Sequence, residues 1–475
     1  MKTLSFATLV LASSSTVLHA LPSVGPDYKR PVVSAPANYR DASPAASAPA
    51  NALSPDWWHL FNDPALNQLE ETALTANQDL RAALARVEQA RAISGVARSS
   101  YFPSVSVDPS FKREQTSLAV DNKLPNPLAT TYRLPLELTW EIDLFGRVRR
   151  LNETTRAELA ASGATYEAAR LSLTAEVATT YFILRALDQE LRVVTATIGL
   201  RRDALGLVHA RFQNGSASDL DVARGETELA TTEADAAALA QRRSSTQNAL
   251  AVLLGKAAPE FATTASGSDI SSINIVLPAI PAGLPSELLT RRPDIAAAER
   301  TLAAANARIG LAKAAFFPAL SLTGSAGYAS ADIDDLFKSE SKFWSIGPSL
   351  YLPLFQGGRN RANLARSRAS YEETLATYRQ RVLIAFREVQ DALTASQLLA
   401  QQAEAQSRAV ASARRGSDLS QKRYDAGFVS YLEVVDAQRT ALDVERTDAR
   451  LAGQRWITQV ALIKALGGGW QPPSS

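Results

Sequence analysis

Two hydrophobic periods share this chain. From Leu173 to Phe212 apolar side chains recur at alternating steps of four and three, through Leu173, Val177, Leu184, Leu187, Leu191, Val194, Ile198, Leu205, Val208 and Phe212, with Thr180 and Arg201 the two exceptions. That spacing is a coiled-coil seam. From Tyr132 to Asp143 the period falls to two: Tyr132, Leu134, Leu136, Leu138, Trp140 and Ile142 alternate with Arg133, Pro135, Glu137, Thr139, Glu141 and Asp143. This is the pattern and about the length of a membrane strand.

Both patterns occur twice, at an offset of about 212 residues. DLRAALARVEQARAISGVARSSYFPSVSV (Asp79 to Val107) is answered by DIAAAERTLAAANARIGLAKAAFFPALSL (Asp294 to Leu322), and both reach a Phe-Pro step, at Phe102-Pro103 and Phe317-Pro318. LTWEIDLFGRVRR is answered by SLYLPLFQGGRNRA, and RFQNGSASDLDVARGETEL by RYDAGFVSYLEVVDAQRTAL. The shifted seam runs from Ala385 to Tyr424 with smaller residues, among them Ala392, Ser396, Ala403, Ser417 and Ser420, so closer helix approach is expected there.

Proline is absent from Leu136 through Ala258 and from Leu354 through Gln471, which permits long helices, since an interior proline costs ~3 kcal/mol. A helix from about Arg147 to Phe212 would be on the order of 100 Å long at 1.5 Å per residue. It turns at Asn214-Gly215 and returns along Leu220 to Leu254; the second copy turns at Asp425-Ala426-Gly427 and returns along Leu432 to Leu466. Glycine just past a periodic run is the expected helix stop.

The remaining strands are read from Pro103 (Val105, Val107 and Phe111 on one face, limited by Pro109), from Leu320 to Tyr328, and from Trp344 to Leu354. Aromatics such as Tyr101, Phe102, Trp140, Phe145, Phe317, Trp344 and Phe355 gather near strand ends, as in membrane-interface girdles. The loops Glu114 to Thr131 and Ala329 to Lys342 are polar and suit an extracellular surface. Two soluble hairpins packed on helices would share the strand signal; export and charged flanking helices favour the membrane. Four strands cannot close a barrel, because open edges in lipid leave backbone groups unsatisfied, so the chain must oligomerise.

Composition narrows the chemistry. Met1 and Lys2 precede the apolar run LSFATLVLASSSTVLHA, the layout of a secretory signal cleaved after Ala20. The rival reading, a membrane anchor, needs about 20 unbroken apolar residues, and Ser13 to Ser15 interrupt this run. With 50 Lys and Arg against 48 Asp and Glu, nucleic acid is not an expected partner. The chain has no cysteine, which removes disulfides, thiolate metal sites and a lipidated cysteine, and His19, His59 and His209 are far apart. No catalytic motif (HExxH, P-loop, GxSxG) is present, and neither a cofactor nor a metal is expected.

VGPDYKRP (Val24 to Pro31), WWHLFNDPALNQLEETALTANQDL (Trp57 to Leu80), LFGR (Leu144 to Arg147), LFQGGRNRA (Leu354 to Ala362) and YLEVVDAQRTAL (Tyr431 to Leu442) together resemble the TolC-like outer-membrane efflux channels, in particular the OprM and NodT-type branch. The resemblance covers essentially the whole mature chain. It implies a mainly α protein with a membrane β-barrel: a homotrimer in the outer membrane of a Gram-negative bacterium, with twelve strands in one barrel and twelve helices in a periplasmic tunnel. The implied partners are outer-membrane lipid, a periplasmic adaptor and an inner-membrane pump of RND type, and the implied cargo is small toxic compounds. On the return helix of the second copy, Glu433 and Asp436 match the carboxylates that line the narrowest point of the tunnel in that family, although aspartate is more usual at the first position. Asp221 and Arg224 stand at the corresponding places in copy one, and Arg224 is expected to pair with a carboxylate across the tip. The segments carrying Gly215, Leu220, Gly427 and Leu432 are the expected adaptor-docking tip.

The expected organisation is a signal over 1–20, an extended segment over 21–63, a first repeat over 64–258, a linker over 259–284, a second repeat over 285–467 and a tail over 468–475. The lipoprotein members of the branch carry a cysteine just ahead of the VGPDY-like segment; here Ala20, Leu21, Pro22 and Ser23 stand there. The mature terminus is therefore expected to be free near Leu21, with Val24 to Tyr39 held along the helices by packing. A periplasmic coiled-coil adaptor is the alternative function, and would normally show one hairpin flanked by soluble sheet domains. A pore-forming toxin is disfavoured by the duplication.

Overall fold

The computed structural model describes residues 23–40, 53–121, 125, 127–261 and 285–472; the signal and most of the linker lie outside the described residues. Seven helices of more than ten residues organise it: α1 (Pro64–Ala76), α2 (Gln78–Ser99), α3 (Arg147–Gln213), α4 (Asp219–Leu253), α5 (Pro293–Ala314), α6 (Arg359–Asp425) and α7 (Tyr431–Ala465). The duplication is literal in these bounds. Residues 147, 213, 219 and 253 each map onto their counterparts 359, 425, 431 and 465 by adding 212, so both hairpins pair a 67-residue helix with a 35-residue return. None of the described helices is long and apolar enough to cross a membrane.

The chain divides into two compact units. The first comprises the described residues of Met1–Val32, Arg86–Gly163 and Ala297–Arg379. It contains one antiparallel sheet of β1 (Ser104–Val107), β2 (Ser110–Gln115), β3 (Leu128–Ile142), β4 (Ala319–Ser330) and β5 (Lys342–Tyr351), with β1 and β2 both on one side of β3, then β4, then β5. Four strands were expected and five segments occur, because the first strand is interrupted. Its register does not slip across the gap: Val107 pairs with Leu136 and Ser110 with Arg133. The residues facing each other in the gap are therefore Asp108 with Pro135 and Pro109 with Leu134, and neither proline has an N–H to give the ladder. The first loop is also shorter than expected, since β2 runs to Gln115 and β3 starts at Leu128.

The register aligns apolar positions of neighbouring strands into rows. Val107, Leu136, Ala326 and Trp344 form one, and Val105, Leu138, Gly324 and Ile346 the next. Val105, Val107, Phe111, Leu136, Ile346 and Leu350 are exposed, and Trp344 is 78% exposed. A sheet that leaves a continuous apolar face uncovered, with unpaired backbone along β1/β2 and β5, is built for lipid and for further strands.

The N-terminal segment is fixed in this unit by specific contacts. Val24 N–H donates to Phe145 O at 3.0 Å. The Arg150 guanidinium, with a side chain only 3% exposed, donates to Val24 O, Gly25 O and the Asp27 carboxylate at 3.2, 3.3 and 2.9 Å. Asn306 reaches Pro26 O at 2.9 Å, and Arg30 pairs with Glu299 at 3.2 Å. At Gly25, φ is +107° and a Cβ would stand 2.4 Å from Gly310 Cα, so the segment lies backbone to backbone on α5.

The second unit comprises the described residues of Val33–Ala85, Ala164–Ala296 and Gln380–Ser475. Its main core gathers Trp57, Trp58 and Phe61 from a short 3-10 turn with Leu66, Tyr181, Phe182, Val389, Val460 and Ile463. Asp63 serves twice, capping α1 through the N–H groups of Ala65 and Leu66 and accepting from the Tyr181 hydroxyl at 2.6 Å. Glu70, fully buried on α1, has no hydrogen-bond partner for either carboxylate oxygen, and burial holds its carboxyl well above the ordinary range.

Candidate functional site

The two hairpin turns of the second unit use one device. Ser216 N–H donates to Arg211 O and Gly215 N–H to Phe212 O; Phe428 N–H donates to Arg423 O and Gly427 N–H to Tyr424 O. These paired bonds satisfy carbonyls that each helix end leaves open, and they need a left-handed residue, supplied at φ +74° by Gly215 and +77° by Gly427. The return helices start differently. Ser218 and Asp221 form a reciprocal capping box on α4, whereas Ser430 makes no side-chain cap on α7.

Below the turns, Val208, Val222, Tyr424, Tyr431, Val434 and Val435 form a buried cluster, with the two tyrosine rings 5.5 Å apart. Glu433 and Asp436 lie one helical turn apart on the exposed side of α7. Neither forms an ion pair with another described residue of the chain. Asp221 is held by its capping box and by Arg224, 3.7 Å away on the same helix. Within one chain, then, the four expected gate residues form two separate pairs. Leu220 and Leu432 are exposed beside the turns, and Phe428, not singled out in the sequence, is 77% exposed there.

Three further contacts join the two hairpins. The Arg211 guanidinium lies 4.3 Å from the Tyr424 ring centroid and donates to the carbonyls of Tyr424 and Asp425, each at 3.2 Å, so a cation from α3 closes the C-terminus of α6. Deeper, Arg201 is buried against Glu228 at 3.0 Å and donates to Glu228 O at 2.9 Å and to Thr232; Arg439 of α7 reaches the same Glu228 carboxylate. Burial pulls the Arg201 guanidinium down, while the hydrogen bond to Glu228 holds Arg439 up. Above that, Glu190 on α3, with a side chain 3% exposed, accepts from Arg446 at 2.9 Å and from Arg450 at 3.0 Å, and Arg446 also reaches Asp235 at 2.7 Å. Burial alone would raise the Glu190 carboxyl, but the hydrogen bonds and charges of Arg450 and Arg446 together outweigh it and hold it low.

Arg201 was visible as a charge in an apolar seam; Arg439, Arg446 and Arg450 were not singled out in the sequence, although they recur at steps of seven and four. Helical period alone does not show that their partners lie on the other copy. Where the second seam is small, at Ser417 and neighbouring positions, a groove of about 540 Å³ lies between α3, α6 and α7, bordered by Asp203, Leu207, Gln421 and Gln438.

Residues 69–256 and 284–468 match the family model "Outer membrane efflux protein". The chain is 36% identical over 478 residues to the solvent efflux pump outer membrane protein SrpC of Pseudomonas putida, an alignment covering 98% of this chain and 97% of that one. Among solved structures it resembles the outer-membrane channel OprN (TM-score 0.87, 33% identity, 94% of this chain and 100% of that one). It also resembles the open state of the MtrE outer membrane channel of Neisseria gonorrhoeae (TM-score 0.84, 32% identity, 95% and 99%). Two duplicated helical hairpins, an open-edged sheet with a lipid-grade face, and these matches together place the chain in the outer membrane efflux protein family: it is an outer-membrane channel, not an enzyme, and serves as the exit of a pump that works with adaptor and inner-membrane partners.

Proposed function

We propose that three copies close one twelve-stranded barrel and one twelve-helix tunnel, and that this duct discharges small toxic compounds, organic solvents among them, delivered by an RND-type pump. The observation that carries the reading is the sheet of the first unit. Four strand positions, apolar on one face and unpaired at both edges, cannot persist in lipid until β1/β2 of one copy meets β5 of the next. The cargo class follows that of relatives such as the solvent efflux pump outer membrane protein SrpC. The sequence motifs support membership of the OprM and NodT-type branch.

In this trimer Glu433 and Asp436 from three chains form a ring of six carboxylates at the tunnel tip, which favours cations over anions. Arg224, held on the neighbouring hairpin beside Asp221, is the counter-charge that pairs with a carboxylate across the tip in the closed state. Leu220 and Leu432, exposed beside Gly215 and Gly427, offer the adaptor an apolar contact at each turn. Single-channel recording tests the gate: Asp436→Ala, or Arg224→Ala, raises conductance in planar bilayers. Unchanged conductance in both variants refutes the gate assignment.

A further inference from the structure

We infer that the barrel carries its own charge filter, set by Asp108 and Glu137 against Arg133, independent of the helical tip; this rests on the trimer proposed above. The register decides which side chains face the lumen. Since Val105, Leu136, Leu138, Trp344 and Ile346 take the lipid face, the alternate residues take the other. The row at Glu137 reads Ser106, Glu137, Ser325, Ser345, so one carboxylate stands among serines. Because the register is continuous from β1 to β2, Asp108 keeps the parity of Ser106 and Ser110 and stands opposite Pro135, one row nearer the loops. Gly327 and then Phe343 continue that row across the sheet.

The other lumen charges are already neutralised. Lys112 pairs with Glu114, and Glu141 pairs with Arg147. Arg133, one row further toward the loops, stacks over the Phe343 ring with its guanidinium carbon 4.8 Å from the centroid. Neither Asp108 nor Glu137 forms an ion pair with a described residue. Each protomer thus brings two unpaired carboxylates and one arginine to the lumen, and three protomers bring six against three.

A twelve-stranded barrel tilted about 40° has a backbone diameter of about 24 Å. Side chains reaching inward then lie within about one Debye length, ~8 Å at physiological salt, of the axis. A permeating ion cannot avoid their field.

The test uses reversal potentials of purified trimers in planar bilayers under a salt gradient. Glu137→Gln lowers the cation-to-anion permeability ratio by about threefold at 0.15 M salt, Asp108→Asn lowers it as well, and Arg133→Gln raises it. Because the chain has no cysteine, single thiols report orientation directly. The thiol of Glu137→Cys reacts with impermeant charged methanethiosulfonates, a negative reagent restoring the ratio and a positive one depressing it, while the thiol of its lipid-facing neighbour Leu136→Cys does not react. If Glu137→Cys disrupts assembly, Asp108→Cys serves in its place. An intact trimer whose thiol at 137 or 108 is unreactive, or whose ratio ignores all three charge substitutions, overturns the inference. Wild-type protein that forms neither trimers nor conducting channels overturns the trimer reading instead, and the inference falls with it.

Discussion

Removing the Arg211 guanidinium should open the tip. Arg211 joins the end of the first hairpin to the end of the second through a ring stack at 4.3 Å and two hydrogen bonds at 3.2 Å. The stack contributes about 0.5–1 kcal/mol, and each hydrogen bond from a charged donor about 1 kcal/mol net of hydration. The side chain is only half-buried, so solvent screening reduces the sum to about 1 kcal/mol per chain. If three second hairpins swing away from three first hairpins together, Arg211→Ala costs the arrangement in which they are joined about 3 kcal/mol, a shift of about 100-fold in the joined-to-separated ratio. The assay is single-channel recording of purified trimers, reading open probability and closed dwell time. Arg211→Lys keeps the charge near the α6 terminus but loses the planar stack and the two-pronged donation, so it should fall between wild type and alanine. An Arg211→Ala trimer with wild-type closed dwell times refutes the reasoning.

Two substitutions elsewhere in the second unit probe its packing. A carboxyl whose folded pKa lies above its unfolded value near 4.5 leaves stability intact below that value and erodes it as pH rises through the higher one. Glu70→Leu should therefore raise the apparent melting temperature more at pH 8 than at pH 5, by the equivalent of about 1–3 kcal/mol, and an equal gain at both pH values contradicts the buried, unpartnered assignment. At Gly453 a Cβ would stand 2.5 Å from Ala186 Cβ, where α7 crosses α3; Gly453→Val should cost about 1–3 kcal/mol, and Ala186→Gly in the same chain should recover part of the melting temperature.

Much of this architecture was legible because it rests on local signals repeated twice. Gly215 and Gly427 ended the long helices where left-handed residues were needed, and the alternation from Tyr132 to Ile142 marked the face that the register later aligned with Val107, Ala326 and Trp344. What escaped were relations across distance. Pro109 was read as a limit on the first strand, but the gap arises from Pro109 and Pro135 falling on neighbouring positions of two paired strands, which one strand's sequence does not contain. Glu190 and Glu228 looked like ordinary helix charges, because period shows which face a residue occupies and not that Arg446, Arg450 and Arg439 wait on the opposite copy. Glu70 was hidden by a neighbour of the same type, Glu71, which is exposed while Glu70 is buried. The proposed gate role of Glu433 and Asp436 came from family resemblance, since their local pattern is that of any solvated helix.

If, as proposed, one chain supplies a third of a barrel, it cannot close it alone. Native mass measurement of the complex extracted from outer membranes into mild detergent should find three copies in one heat-resistant particle, and a folded, membrane-inserted particle of one or two copies would refute the trimer.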